Sequence, residues 1–139
     1  MNWKLILQLS LFGLAMGIGT VFVIPSTVEP FLWLAIFLIC AYVLASRGVA
    51  HPFLHGLAIG IVNSVWVTSS HVLLFNQYVA NHAKEMEMMK TMPMNDSPRV
   101  LMAIMGPLIG VVSGIVLGVF ALVASRLMRS RTPPPVAAS

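Results

Sequence analysis

The run Leu5 to Ile24 contains no charged side chain, and three more apolar runs follow at about 30–46, 53–75 and 100–124, equally free of Asp, Glu, Lys and Arg. A helix of about 20 residues crosses the hydrocarbon core of a bilayer. No water is present there to satisfy backbone N–H and C=O groups, so a spanning segment must satisfy them internally, as an α-helix does. The expected fold is therefore all-α: an integral membrane bundle of four transmembrane helices. Composition leaves little room for anything else. The 139 residues are 58% hydrophobic and 9% charged, against about 25% charged in soluble domains. One transmembrane domain is expected over 1–131, followed by a disordered Pro-rich tail at 132–139.

The first run follows Trp3 and Lys4, and a positive start before an apolar stretch is also how a secretory signal begins. This run is long for a signal core, and no small-x-small cleavage site follows Phe22-Val23-Ile24-Pro25. An uncleaved first helix is expected, then a tight turn over Ser26 to Glu29 between Pro25 and Pro30. The second span is rich in large residues (Phe31, Trp33, Phe37, Tyr42), and its only small pair at four-residue spacing is Ala41 and Ala45. That pattern suits a lipid-facing helix. In the extracytoplasmic loop 76–98, helical spacing joins Phe75, Tyr78, Val79, His82, Met86 and Met89, with Lys84, Glu85, Glu87 and Lys90 elsewhere on the wheel. This predicts a short amphipathic interfacial helix between the third and fourth spans. Asn95-Asp96-Ser97-Pro98 supplies a capping side chain and a first-turn proline for the fourth.

Small residues then organise the spans. Gly106, Gly110, Gly114 and Gly118 recur every fourth residue; Gly56, Gly60, Ser64 and Thr68 do the same in the third span, and Gly13 and Gly17 in the first. Each interior glycine costs a helix about 0.5–1 kcal/mol relative to alanine in water. In lipid, a groove without side chains lets a second backbone approach, and dispersion contacts hold it. The third and fourth spans, joined by the first, are expected to pack through these faces. The same rows are also able to seal a second protomer or another membrane protein against this chain.

Charge sets orientation. With both termini in the cytoplasm, Lys4, Arg47, Arg126, Arg129 and Arg131 lie inside and Lys84, Lys90 and Arg99 outside, in keeping with the positive-inside bias. All four acids (Glu29, Glu85, Glu87, Asp96) then lie outside. The net charge of +4 flanks apolar segments and forms no basic stripe, so nucleic acid is not an expected partner. The bilayer is.

Three constellations carry chemistry. Met86, Met88, Met89, Met92 and Met94, with His82 before them, offer the thioether and imidazole ligands that suit Cu(I) or another soft metal; the competing reading is flexible padding of an interfacial helix. His51 and His55 are four apart, a spacing that presents two imidazoles to one ion if both are helical, although Pro52 lies between them. Asn63, Ser70 and His71 place polar groups inside the third span, where such groups line a hydrated path or bond between helices. No nucleophile–base–acid arrangement, Walker loop, GxSxG or HExxH run occurs. No enzyme and no cofactor is expected. The lone Cys40 has no cysteine partner in the chain.

The layout resembles small bacterial four-helix inner-membrane proteins classed as domains of unknown function. The resemblance rests on Phe53-Leu54-His55-Gly56 through Gly60 opening the third helix, the charged Met86–Met94 loop, and the Gly106–Gly118 row. The loop here is shorter and richer in methionine than that pattern. The resemblance implies an inner-membrane location and no activity. The function expected is that of a structural or accessory subunit packing with other membrane helices. The alternatives are a small-solute or proton transport or channel component lined by the third span, and soft-metal binding by the loop.

Overall fold

The computed structural model describes residues 1–93 and 96–130. Met94, the capping Asn95, Arg131 and the expected tail 132–139 lie outside the described residues. The described chain is helical: α1 (Trp3–Phe22), α2 (Glu29–Ser46), α3 (Pro52–Leu73), α4 (Phe75–Asn81), α5 (Ala83–Lys90) and α6 (Pro98–Ser130). Of these, α1, α2, α3 and α6 are long and apolar enough to cross a membrane. Their starts are written locally. The Asn2 side chain accepts from Leu5 N–H at 3.1 Å, while Pro30, Pro52 and Pro98 occupy first turns, where a missing N–H costs no hydrogen bond. Pro107 sits inside α6, which continues through it.

The amphipathic helix expected as one piece is two. α4 ends and α5 begins at His82, whose φ of −131° and ψ of 54° are not helical. The His82 imidazole explains the break: Nδ1–H donates to the Tyr78 carbonyl at 3.1 Å, the acceptor a continuing helix would give to the His82 backbone N–H. That N–H reaches the Val79 carbonyl instead, at 3.4 Å. A similar non-helical residue, Leu74, stops α3 two residues short of the expected Phe75. The apolar side of the pair still faces the bundle. Tyr78 and His82 are buried, and Phe75, Val79, Met86 and Met89 are half-buried.

α3 is the centre of the packing. It runs antiparallel to α6, Gly56 meeting Gly118, Gly60 meeting Gly114, Ser64 meeting Gly110 and Thr68 meeting Gly106. A Cβ on Gly56 would stand 2.6 Å from the Gly118 Cα, and one on Gly114 would stand 2.8 Å from the Leu57 carbonyl oxygen. Backbone touches backbone along this seam, so many weak dispersion contacts form where no side chain intervenes. α1 lies parallel to α3 on another side. Gly13 faces Asn63, Gly17 faces Val67 and Ser70, and Trp66 Nε1 donates to Ser10 Oγ at 3.2 Å.

α2 leans on α6 and scarcely meets α3. At one end of the bundle all four long helices converge: Leu5, Ile6 and Leu9 of α1, Cys40, Ala41 and Leu44 of α2, Ile59 of α3, and Leu117 and Ala121 of α6 form one core. Lys4, Arg47, Arg126 and Arg129 flank this closed end. Toward the end that carries α4 and α5, α2 and α3 part. The opposite side of α2 exposes Phe31, Leu38 and Tyr42.

Candidate functional site

The parting of α2 and α3, backed by α6, leaves a partly open cavity of about 590 Å³, with Leu34 and Ile109 on its walls exposed. Its walls below are apolar: Leu34 and Phe37 of α2, Ile109, Val116 and Phe120 of α6. Phe37 and Phe120 meet edge to face, with ring centroids 6.5 Å apart, and the packed core lies beneath them. They floor the cavity. Aromatic bulk on the α2 wall also explains why α2 stands off. Trp33 and Phe37 pack against each other at 6.0 Å, and Trp33 Nε1 donates to Glu29 Oε1 at 3.2 Å. The mouth is different in kind. It is rimmed by Glu29, His71 and Tyr78, with Met89, Met102 and Met105 between them.

The rim is held by a stack. Tyr78 lies 4.3 Å from the His71 ring and 4.2 Å from the His82 ring, nearly parallel to the latter at 6°. The non-helical Leu74 and His82 on either side of α4 allow this, because they turn a short helix back over the end of α3. Burial pushes the Tyr78 hydroxyl up to about 12, with the carboxylates of Glu85 and Glu29 adding to the shift. The phenol is thus a hydrogen-bond donor throughout the physiological range. Glu85, on α5, is held below the usual carboxylate range chiefly by a hydrogen bond from Ser26.

His71 Nε2 lies 2.8 Å from Thr20 Oγ1. The Thr20 hydroxyl has one proton, and the Met16 carbonyl at 2.8 Å takes it. His71 Nε2–H then donates to Thr20, and Nδ1 is left as an acceptor. Among the described residues, neither that nitrogen nor the Tyr78 hydroxyl makes a hydrogen bond, and neither is sealed from space.

The three intramembrane polar residues singled out from sequence do not form one network. Ser70 donates to the Trp66 carbonyl of its own helix at 2.9 Å. His71 turns to Thr20. Asn63 is 3% exposed and borders the cavity, yet its amide is pressed onto α1: a Cβ on Gly13 would fall 2.5 Å from Asn63 Oδ1. Oδ1 and Nδ2 are buried without a partner among the described residues. By contrast, Ser64 and Ser113 on the cavity wall donate to the carbonyls of Ile61 and Gly110, at 2.7 and 3.2 Å.

The methionine residues differ in exposure. Met88 and Met92 are exposed, Met86 and Met89 half-buried with only Met89 at the cavity, and Met94 lies outside the described residues. Among the described residues, no three His, Cys, Asp or Glu side chains gather as metal ligands would. Pro52 weighs against a His51–His55 pair, and the structure keeps the two apart in role. His51 caps α3 from outside the helix, and both His55 nitrogens are engaged: Nδ1–H donates to the His51 carbonyl at 2.8 Å and Nε2 accepts from Asn2 N–H at 3.0 Å. No lone pair is left for an ion. Cys40 is buried in the closed-end core.

Sequence reading missed Thr20, Glu29, Tyr78, Phe37 and Phe120 as site residues. One signal was present: Thr20 continues the Gly13–Gly17 face of α1 and is the polar residue on that stripe. Phe37 and Phe120 carried none, since nothing local joins residues so far apart in the chain. No protein-family model, no curated protein and no solved structure matches the chain.

Proposed function

We propose that this chain is an accessory component of a bacterial inner membrane, with both termini in the cytoplasm, that binds a small membrane-soluble molecule without converting it. The observation that carries the reading is the cavity between α2, α3 and α6, open in part along its side, with Glu29, His71 and Tyr78 at one end and Phe37 and Phe120 at the other. A pocket of this size, mostly apolar with a few convergent polar groups, is the usual form of a small-molecule site. The packed core beneath the floor favours a binding vestibule over a continuous pore. Ser64, Ser70 and Ser113 each donate to a carbonyl of their own helix, so none is activated by a base. The basic closed end and the acid-bearing open end support the orientation through the positive-inside rule.

The test is retention of a bound molecule. Native protein and Val116→Trp, which fills the cavity, are excised from membranes in polymer-bounded discs and their lipid-soluble contents compared by mass spectrometry. A species present at near one per chain in the native protein and reduced about tenfold in the variant is expected. Identical contents would end the reading.

Soft-metal binding stays as a second reading on one observation. His82 is 2% exposed, its Nδ1–H is committed to the Tyr78 carbonyl, and Nε2 is buried without a partner among the described residues. A ligating histidine commonly donates its other nitrogen to a carbonyl in this way. Cu(I) titration that His82→Ala leaves unchanged would remove it.

A further inference from the structure

The cavity has a length, a volume and a direction, and together they describe a molecule. Along α6 its lining runs from Met102 to Phe120, about 27 Å at about 1.5 Å per residue. That is close to the whole hydrocarbon thickness of about 30 Å. At about 30 Å³ for each water-sized group, 590 Å³ accommodates roughly twenty such groups. This matches one long alkyl chain with a compact head and is about half the volume of a two-chain phospholipid, whose second chain would have to lie outside the walls. The lower walls, Ile109, Val116, Phe37 and Phe120, offer a tail nothing but dispersion contacts. Below the mouth the Asn63 amide is turned onto Gly13 and sealed, and Ser64 and Ser113 bond within their own helices, which leaves the Thr68 hydroxyl beside Gly106 as the polar group on that stretch of wall.

The mouth also selects the head. Glu29 gives Oε1 to Trp33 and keeps Oε2 free. His71 presents an acceptor nitrogen and Tyr78 a hydroxyl. Two of the three groups accept hydrogen bonds, and one is a carboxylate, which repels a second negative charge brought beside it. Arg99 lies over the Phe75 ring at 5.0 Å, and among the described residues no Lys or Arg lines the cavity.

We propose that the ligand is a single-chain amphiphile whose head donates hydrogen bonds and bears no negative charge, such as a monoacylglycerol, a long-chain alcohol or a long-chain amine. The proposal rests on the binding reading above and names its ligand class. The head sits among Glu29, His71 and Tyr78, and the tail runs down α6 to Phe120.

Trp33 lines the cavity and reports on it. The full chain is placed in nanodiscs of unbrominated lipid, and four probes with brominated chains are titrated: monooleoylglycerol, oleylamine, oleate and a two-chain phosphatidylglycerol. Saturable quenching by the first two is expected, with oleate about tenfold weaker and phosphatidylglycerol quenching only in proportion to its bulk concentration. Trp33→Phe should abolish the saturable part, which separates it from Trp3 and Trp66. Glu29→Gln should bring oleate level with the neutral probe. Oleate binding as well as monooleoylglycerol to the native protein, or phosphatidylglycerol competing with either, overturns the proposal. So does retention of full quenching by Ile109→Trp and Val116→Trp, each first shown to melt with the native midpoint. Should a native species be displaced by Val116→Trp while no single-chain probe quenches, this ligand class is wrong and the binding reading survives. Should nothing be displaced, both fall.

Discussion

α3 meets its neighbours in two opposite ways. Against α6 it presents Gly56, Gly60, Ser64 and Thr68, and the two backbones come into contact. Against α2 it presents almost nothing, and Trp33 and Phe37 face it across open space. Hydrophobicity does not distinguish the two regions, since lipid tails are as apolar as the side chains in both. Side-chain size does. A row of absent side chains lets helices close, while aromatic rings set at one end of a helix hold it off there and leave room beside them. The closed seam supplies a rigid back wall for the open gap, and α6 belongs to both.

The comparison breaks most decisively at the seam. Gly114→Leu forces a side chain into the backbone around Leu57 and should cost 3 kcal/mol or more, at the top of the overpacking range of about 1–3. Denaturant titration in mixed micelles measures it. Gly48→Ala is the contrast. Gly48 has φ +60° with nothing within 4 Å of a built Cβ, so only backbone strain of about 1–2 kcal/mol is expected. An equal cost for the two would mean the seam is not what holds α3 to α6.

Asn63 sharpens the other side. Its two buried polar atoms have no partner among the described residues, and leaving such a group unmade costs about 1–3 kcal/mol. Asn63→Val should therefore be neutral or stabilising in the same titration; a loss above about 1 kcal/mol would show that the amide is satisfied in the membrane. Thr20→Val should cost about 0.6 kcal/mol, the average for hydrogen bonds between membrane helices. It should also shift the imidazole resonances of His71 and leave those of His55 unchanged.

The remaining effects are expected near the mouth and concern pH. The folded state holds Glu85 below its ordinary range, so its contribution is present above the unfolded pKa and disappears as pH falls through the folded one. Melting curves should show a slight loss on acidification, reduced in Ser26→Ala. Tyr78 acts at the other extreme. Raised from 10.0 to about 12, it stabilises the fold fully below pH 10 and loses that contribution between 10 and about 12, when the unfolded phenol ionises first. Tyrosinate absorbance appearing near pH 10 in the folded protein would contradict this.

Four spans are legible in the sequence because each is a local property of about twenty consecutive residues. The recurrence of glycine at every fourth position is local as well; which helix those glycines meet is not. The break at His82 went unseen because helical periodicity treats a histidine as one more half-polar residue, and only its hydrogen bond to the Tyr78 carbonyl stops the helix. Asn63 and His71 could be picked out as polar groups in an apolar run. Their separate fates, one pressed onto Gly13 and the other bonded to Thr20, depend on the parallel register of α1 and α3. The cavity was the least legible feature of all. It is a place where two helices fail to touch, and no pattern within either one encodes that.

α6 has 33 residues, a rod of about 50 Å in a film whose oily interior is about 30 Å deep. A rod that overshoots its solvent leans, and leans more as the solvent thins. Fused to α3 over most of its course, it carries that helix along, while α2 is tethered to it chiefly at the closed end. In a bilayer, a change of thickness is then expected to change how far the mouth stands open.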